Sequence, residues 1–170
     1  MKLSYKNKSG IFCILVTLVI VILQPLVLAG LQSFEVSDIA KKITVSIEGF
    51  NLGSGVIISK NNNTYEVITA WHVVSGKGKY LVRTHDNLTH LVNGSTIKQI
   101  PQVDVAIIEF TSKQTYPVGN IGDSGRLKEG MTVFFAGYPK PGSLNLGRTY
   151  TFLRAQITTL LKKMCGMVTA

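Results

Sequence analysis

One histidine and one aspartate each stand beside an apolar run, and both residue types can take part in hydrolysis. His72 follows Val67-Ile68-Thr69-Ala70-Trp71, and Asp104 precedes Val105-Ala106-Ile107-Ile108. A neutral imidazole can take a proton from a hydroxyl group only if its other ring nitrogen is held in the right tautomer, which a nearby buried carboxylate achieves. The two residues therefore predict the base and the orienting acid of a hydrolytic triad, and the nucleophile remains to be found.

Short apolar runs separated by turn residues predict an all-β fold. The first predicted strands are Ile43–Ile47, Gly55–Ser59, Tyr65–Thr69, Tyr80–Arg83, His90–Thr96 and Val105–Phe110. These strands suffice for one small closed barrel, with asparagine-containing turns at Lys60–Thr64 and at Asp86-Asn87. One short amphipathic helix is predicted at Val36–Lys42.

A second unit is predicted after residue 114, with strands at Met131–Ala136, Arg148–Ile157 and Thr158–Leu161. Two or three strands cannot close a barrel, so this unit is expected to be incomplete and to keep open edges and an uncovered apolar face. The predicted domains are a first β-barrel at 34–114, which carries the histidine and the aspartate, a partial second β-barrel at 115–161, and a short tail at 162–170.

Residues 1–29 are predicted to be a secretory signal peptide. Three lysines within the first eight residues precede an apolar stretch, Ile11–Leu23, and small residues around Ala29 suit cleavage. This stretch is shorter than the roughly 20 residues that a spanning helix needs, so cleavage is favoured. The alternative is an N-terminal membrane anchor through residues 11–31. Either way the sequence predicts an exported protein, periplasmic or extracellular.

The charge pattern does not indicate a nucleic-acid-binding protein. Part of the formal net charge of +9 belongs to the N-terminal segment, and the remaining basic residues are scattered along the chain. They form no dense stripe interleaved with aromatic residues. We therefore expect no nucleic-acid partner.

No metal or cofactor is expected either. His85 and His90, with Asp86 between them, are the metal candidates that we weighed. Two histidines five residues apart, with no third ligand nearby, make a poor zinc site.

The pattern around these residues resembles that of the trypsin-like serine peptidases, close to short exported bacterial and cyanobacterial enzymes and to Deg and HtrA proteases. The resemblance covers roughly residues 34–161. It is carried by Thr69-Ala70-Trp71-His72, Asp104-Val105-Ala106, Gly53–Ile58, Phe34–Ala40, Ile43–Gly49, Ile121–Pro139 and Arg148–Phe152. One departure is Trp71, where the family commonly carries a small residue.

The resemblance implies a double β-barrel that hydrolyses polypeptides. His72 would be general base and then general acid, Asp104 its orienting carboxylate, and a downstream serine the nucleophile. The chain contains no Gly-x-Ser-Gly-Gly segment, and the likeness stops at Lys162. We therefore expect a polypeptide truncated before its nucleophile and inactive as a lone chain, whose polypeptide substrates belong to a full-length form.

Three alternatives stay open at this point. Gly122-Asp123-Ser124-Gly125 resembles a nucleophile motif, so Ser124 could be an unusual nucleophile, although its position matches a loop that opens the second barrel. Asp86 is the rival acid, but it lies in a predicted hairpin turn. In a different class of function, the incomplete second half could bind a peptide or a partner by adding a strand to its open edge.

Overall fold

The structure is a computed structural model and describes residues 33–139 and 149–160. The chain divides between Val36 and Ser37, and both sheets belong to the second unit, residues 37–170. The predicted signal peptide at 1–29 and the tail at 162–170 lie outside the described residues. Among those that are described, no helix is long and apolar enough to span a membrane.

Short strands joined by turns make up most of the described chain. Helix α1 (Ser33–Ile43) leads into β1 (Thr44–Glu48), β2 (Gly53–Asn61), β3 (Thr64–Thr69), the one-turn helix α2 (Trp71–Val74), β4 (Leu81–Arg83) and β5 (Thr89–Leu91). A 3-10 turn (Gly94–Thr96), β6 (Lys98–Ile100) and β7 (Val105–Thr111) follow. The second part holds a 3-10 turn (Ser124–Arg126), β8 (Thr132–Gly137) and β9 (Thr151–Gln156).

Strands β1 to β7 form one antiparallel sheet in the order β5-β4-β1-β2-β3-β7-β6. The sheet curls back on itself, because Val92, just after β5, bridges Phe110 of β7 and Asn93 N–H donates to the Glu109 carbonyl at 2.9 Å. The enclosed core consists of Val45, Ile47, Ile57, Tyr65, Val67, Val73, Val74, Tyr80, Val82, Val92, Ala106, Ile108, Phe110 and Tyr116. This arrangement confirms the all-β prediction.

The register between β3 and β7 follows from which residues are apolar. In β3 every second side chain is buried, and each buried one lies opposite a buried residue of β7. Tyr65 opposes Phe110, and the two rings stack with centroids 5.2 Å apart. A slip of one residue would turn these side chains towards solvent, so the hydrophobic pattern fixes the register.

The segment after β7 is fastened to the barrel by Tyr116, whose side chain is buried. Its hydroxyl group donates to Asp86 Oδ2 at 3.1 Å and lies 3.1 Å from Nε2 of His90 and 3.2 Å from the Thr84 hydroxyl group. Its backbone N–H donates to the Tyr65 hydroxyl group. Asp86 therefore serves as a turn acid that also anchors this crossing segment.

Strands β8 and β9 form a separate two-stranded antiparallel sheet, with Phe134 and Phe152 stacked at 5.1 Å. The Ser54 hydroxyl group at the start of β2 accepts from Tyr138 N–H at 2.7 Å. Tyr150 donates to the Ser37 carbonyl at 3.1 Å. These bonds tie the small sheet to the first one, and the predicted incomplete second unit agrees with this pair of strands.

Several sequence-based boundaries were wrong. The predicted strand His90–Thr96 ends at Leu91, because the Asn93 side chain accepts from Ser95 N–H and turns the backbone into a 3-10 turn. Strand β6 was missed, since its three residues are all exposed and show no apolar alternation.

In the predicted partial second barrel, residues 158–160 are not in a strand. Arg148 and Leu161, which end two of its predicted strands, lie outside the described residues. The predicted domain boundaries stay predictions. The turns were predicted correctly: Asn62 and Asn87 have φ values of 54° and 64°.

Asp86→Asn is expected to reduce the loss of stability at acidic pH. Burial disfavours the carboxylate, but hydrogen bonds from Thr84, the Leu88 N–H and Tyr116 outweigh it and hold the pKa of Asp86 below its ordinary value of 3.8. Because the folded-state pKa is the lower one, this group stabilises the fold above about pH 3.8, and the contribution is lost as the pH falls further. The free energy of unfolding, measured with urea, should differ less between neutral pH and about pH 3 for the variant than for wild type.

The matched control is Asp123→Asn, which alters a turn-capping acid on the exposed 3-10 turn. The change from the wild-type difference should be smaller for this variant than for Asp86→Asn, because the exposed Asp123 carboxylate accepts one hydrogen bond, from the Gly125 N–H. Equal differences for Asp86→Asn and wild type would contradict the assigned role of Asp86.

Candidate active site

His72 sits in a one-turn helix at the end of β3. Strand β3 stops at Thr69, and α2 begins at Trp71 with Ala70 as an N-cap that offers no side-chain hydrogen bond. Val73 N–H donates to the Ala70 carbonyl at 3.1 Å. A helix this short leaves most of its backbone groups without partners inside the helix, so side chains from elsewhere or water satisfy them.

Asp104 supplies two of the contacts that hold His72. It is the last turn residue before β7, and Thr69 opposes Ala106 as the final pair of the β3–β7 ladder. Its Oδ2 lies 2.6 Å from Nδ1 of His72, and its Oδ1 accepts from the His72 backbone N–H at 2.9 Å. One carboxylate therefore holds both the ring and the backbone of the histidine.

This geometry selects the histidine tautomer. An ionised carboxylate can only accept, so Nδ1 carries the proton and the neutral ring presents its lone pair at Nε2. Among the described residues, Nε2 of His72 has no hydrogen-bond partner. The ring is therefore oriented as a general base would be, with its basic nitrogen open.

Both members of the pair are exposed to solvent. The side chains of His72 and Asp104 are 69% and 57% exposed, so the sequence-based expectation of a buried carboxylate was wrong for the described residues. The hydrogen bond from the His72 ring, helped by the His72 backbone N–H, lowers the pKa of Asp104 below its ordinary value of 3.8. The carboxylate consequently stays ionised well into acidic solution.

Gly53 lets the histidine turn approach the sheet. A Cβ at this position would lie 2.5 Å from Cγ2 of Val73, the buried residue that follows His72. Trp71, the residue that departs from the family pattern, packs partly buried against the core. The extra volume of the indole is thus accommodated with the His72–Asp104 contact intact.

The other sequence candidates do not join this pair. Ser124 lies in an exposed 3-10 turn capped by Asp123, and no hydrogen bond links it to His72 within residues 33–139 and 149–160. Asp86, the rival acid, is bound to Thr84 and Tyr116 instead. No nucleophile is brought to Nε2 by the described part of the chain.

His85 and His90, which were weighed as metal ligands, both pack against the ring of Tyr116. The ring of His90 lies 4.8 Å from that of Phe110, and the ring of His85 packs edge-on against Tyr116. No group of three or more His, Cys, Asp or Glu side chains in the described ranges is arranged to hold a metal ion.

Asn51 was missed by the sequence-based reasoning. Its side-chain amide donates to the His72 carbonyl at 2.7 Å. No short motif marks an asparagine in the β1–β2 loop as a partner of a histidine 21 positions further along the chain. Only the folded contact could reveal it.

Comparison with known proteins agrees with this geometry. A family model described as a trypsin-like peptidase domain matches residues 53–167, which is more than half of the chain. The chain belongs to the trypsin-like peptidase family.

Similar curated proteins are bacterial proteases. The chain is 33% identical over 99 residues to "Serine protease Do-like HtrA" of Bacillus subtilis and 36% identical over 89 residues to "Serine protease Do-like HtrB" of the same organism. It is 29% identical over 103 residues to "Serine protease Do-like HtrA" of Lactobacillus helveticus. The matches cover 58%, 51% and 61% of this chain but only 21%, 18% and 24% of those proteins. The chain thus corresponds to about a quarter or less of each relative.

Gly53→Ala is expected to destabilise the fold and to move the histidine turn. The added methyl group would overlap Val73 and force α2 away from β2, which costs about 1–3 kcal/mol when a packed site is overfilled. Urea unfolding should show the loss, and the Nδ1 proton signal of His72 should change in NMR spectra.

Gly94→Ala is the control, because a Cβ there meets nothing within 4 Å. It should leave both readouts near wild type. A Gly53→Ala protein with unchanged stability and an unchanged histidine signal would show that this close approach does not position the turn.

Proposed function

We propose that this chain provides the general base and the orienting acid of an exported trypsin-like serine endopeptidase. The observation that carries the proposal is the two-point contact of Asp104 with Nδ1 and the backbone N–H of His72. It fixes the tautomer and the direction of the ring at once. A peptidase histidine needs both before it can take a proton from a serine hydroxyl group.

The proposed chemistry assigns one role to each residue. Nε2 of His72 accepts the proton of an attacking serine and later returns it to the leaving amine. Asp104 keeps Nδ1 protonated and stabilises the imidazolium that forms during attack. Its lowered pKa supports this role, because the carboxylate remains charged while the ring gains its proton.

We further propose that these 170 residues do not hydrolyse peptide bonds by themselves. The sequence contains no Gly-x-Ser-Gly-Gly segment, and no hydrogen bond joins Ser124 to His72 in the described part of the chain. Loss of a triad serine costs on the order of 10⁶ in kcat, about 8 kcal/mol of transition-state stabilisation. Residual turnover would therefore escape detection.

A chimera tests the catalytic proposal. Residues 1–156 are joined to the part of Bacillus subtilis HtrB that follows the segment matching β9, so that a relative supplies the missing nucleophile. The chimera should react with a fluorophosphonate probe and cleave an unfolded protein, whereas the 170-residue chain should do neither. His72→Ala in the chimera should lower both activities by at least about 10³-fold, and Asp104→Asn should lower them strongly too.

Asp123→Asn and Ser124→Ala are the matched controls and should leave the chimera active. A folded chimera that keeps its activity after His72→Ala would contradict the proposal. Labelling of the 170-residue chain that disappears in Ser124→Ala would instead make Ser124 the nucleophile.

A binding module is the second candidate. Phe135 and Leu153 lie opposite each other on the small sheet and are 60% and 59% exposed. A two-stranded sheet with such a face could accept a further strand from a peptide. A folded but unreactive chimera, together with a 170-residue chain that is monodisperse and unfolds cooperatively, would favour this function.

Export is proposed from residues 1–29, where a basic start precedes the apolar stretch and small residues. Expression of the whole chain in a bacterium, followed by fractionation and N-terminal sequencing, should find a protein outside the cytoplasm that begins at about Gly30. A chain recovered from the cytoplasm with Met1 at its N-terminus would contradict the proposal.

A further inference from the structure

The backbone of His72 is held from two sides. Its N–H donates to Asp104 Oδ1 at 2.9 Å, and its carbonyl accepts from Asn51 Nδ2 at 2.7 Å. Helix α2 ends at Val74, two residues after the histidine. The His72 carbonyl therefore lies in the last turn, where carbonyl groups lack a helical donor and bind side chains or water.

Asn51 lies in a loop that approaches neighbouring residues closely, although Gly49 and Phe50 are themselves exposed. The loop joins β1 to β2, and the residues before Asn51 press against the segment that follows α2. A Cβ on Gly49 would overlap the ring of Tyr80, and a Cβ on Gly76 would overlap the ring of Phe50. Tyr80 in turn donates to the Gly76 carbonyl at 2.8 Å. Asn51 therefore follows residues that lie close to the segment after α2.

The two contacts on the histidine backbone differ in what they control. Asp104 also touches the ring, so its removal alters the tautomer directly. Asn51 touches only the carbonyl, and it can influence the ring only by fixing the rotation of the turn. Without the amide, α2 could rotate about the Asp104 contact and lengthen the bond at Nδ1.

We propose that Asn51 is a positioning residue of the candidate active site, which holds the backbone of His72 so that Nδ1 stays on the Asp104 carboxylate. The effect of Asn51 on catalysis rests on the proposed function. The contact itself does not require that the chain be a peptidase.

The test replaces the donor in the 170-residue chain. Asn51→Asp keeps the shape but puts an acceptor against the carbonyl, and Asn51→Ala removes the group. NMR spectroscopy of the labelled protein measures how fast the Nδ1 proton of His72 exchanges with water. Both variants should exchange about tenfold faster than wild type, as expected for the loss of one hydrogen bond that protects this geometry.

Asn63→Asp, at the tip of the β2–β3 hairpin, introduces the same charge and should leave the exchange rate unchanged. Unchanged exchange in both Asn51 variants would overturn the inference. Accelerated exchange in the control, or a general loss of barrel signals in the Asn51 variants, would also overturn it, since the effect would then be one of charge or of folding.

The same substitutions in the chimera give a kinetic readout. Asn51→Ala should lower kcat several-fold and leave KM near wild type, because the residue acts through the base and does not touch substrate. An inactive chimera with the expected exchange result would contradict only the proposed function. An active chimera whose kcat is unchanged by Asn51→Ala would contradict only the positioning role of Asn51.

Discussion

The pairing of β3 with β7 is the constraint on which the rest of the site depends. His72 and Asp104 come from segments that lie beyond the last pair of this ladder, Thr69 opposite Ala106. If the strands slipped by one residue, the carboxylate would no longer reach both the ring and the backbone N–H. The buried pairs within the ladder, with Tyr65 against Phe110 at its far end, therefore determine the chemistry at its near end.

At the histidine turn, side chains form the hydrogen bonds to the backbone that regular strands and helices form elsewhere in the fold. A one-turn helix cannot satisfy its own backbone groups. Asp104 accepts from the His72 N–H, and Asn51 donates to the His72 carbonyl. A rigid base is useful for catalysis because its orientation costs nothing at the moment of reaction. The turn is held in two ways: Val73 and Val74 are buried in the core, and the exposed His72 is held by polar, directional contacts.

Two pairs of contacts hold the described chain around the predicted site. The sequence resemblance implied that His72 and Asp104 lie together on the first barrel, and the structure brings them into contact. The small sheet is joined to that barrel by the Ser54–Tyr138 and Tyr150–Ser37 hydrogen bonds. Its exposed Phe135 and Leu153 are the apolar face that an incomplete second unit was expected to leave.

The sequence by itself determined the all-β class, the positions of most strands and turns, and the two residues that form the hydrogen-bonded pair. It could do so because burial in a curled sheet imposes a period of two, and because asparagine tolerates the positive φ of Asn62 and Asn87. The sequence did not predict strand β6 or the end of β5, since neither carries an apolar alternation. Tertiary structure alone decided the solvent exposure of Asp104 and the contact of Asn51 with the His72 carbonyl. Both depend on how separate loops meet at the end of the barrel, and no local pattern along the chain encodes that meeting.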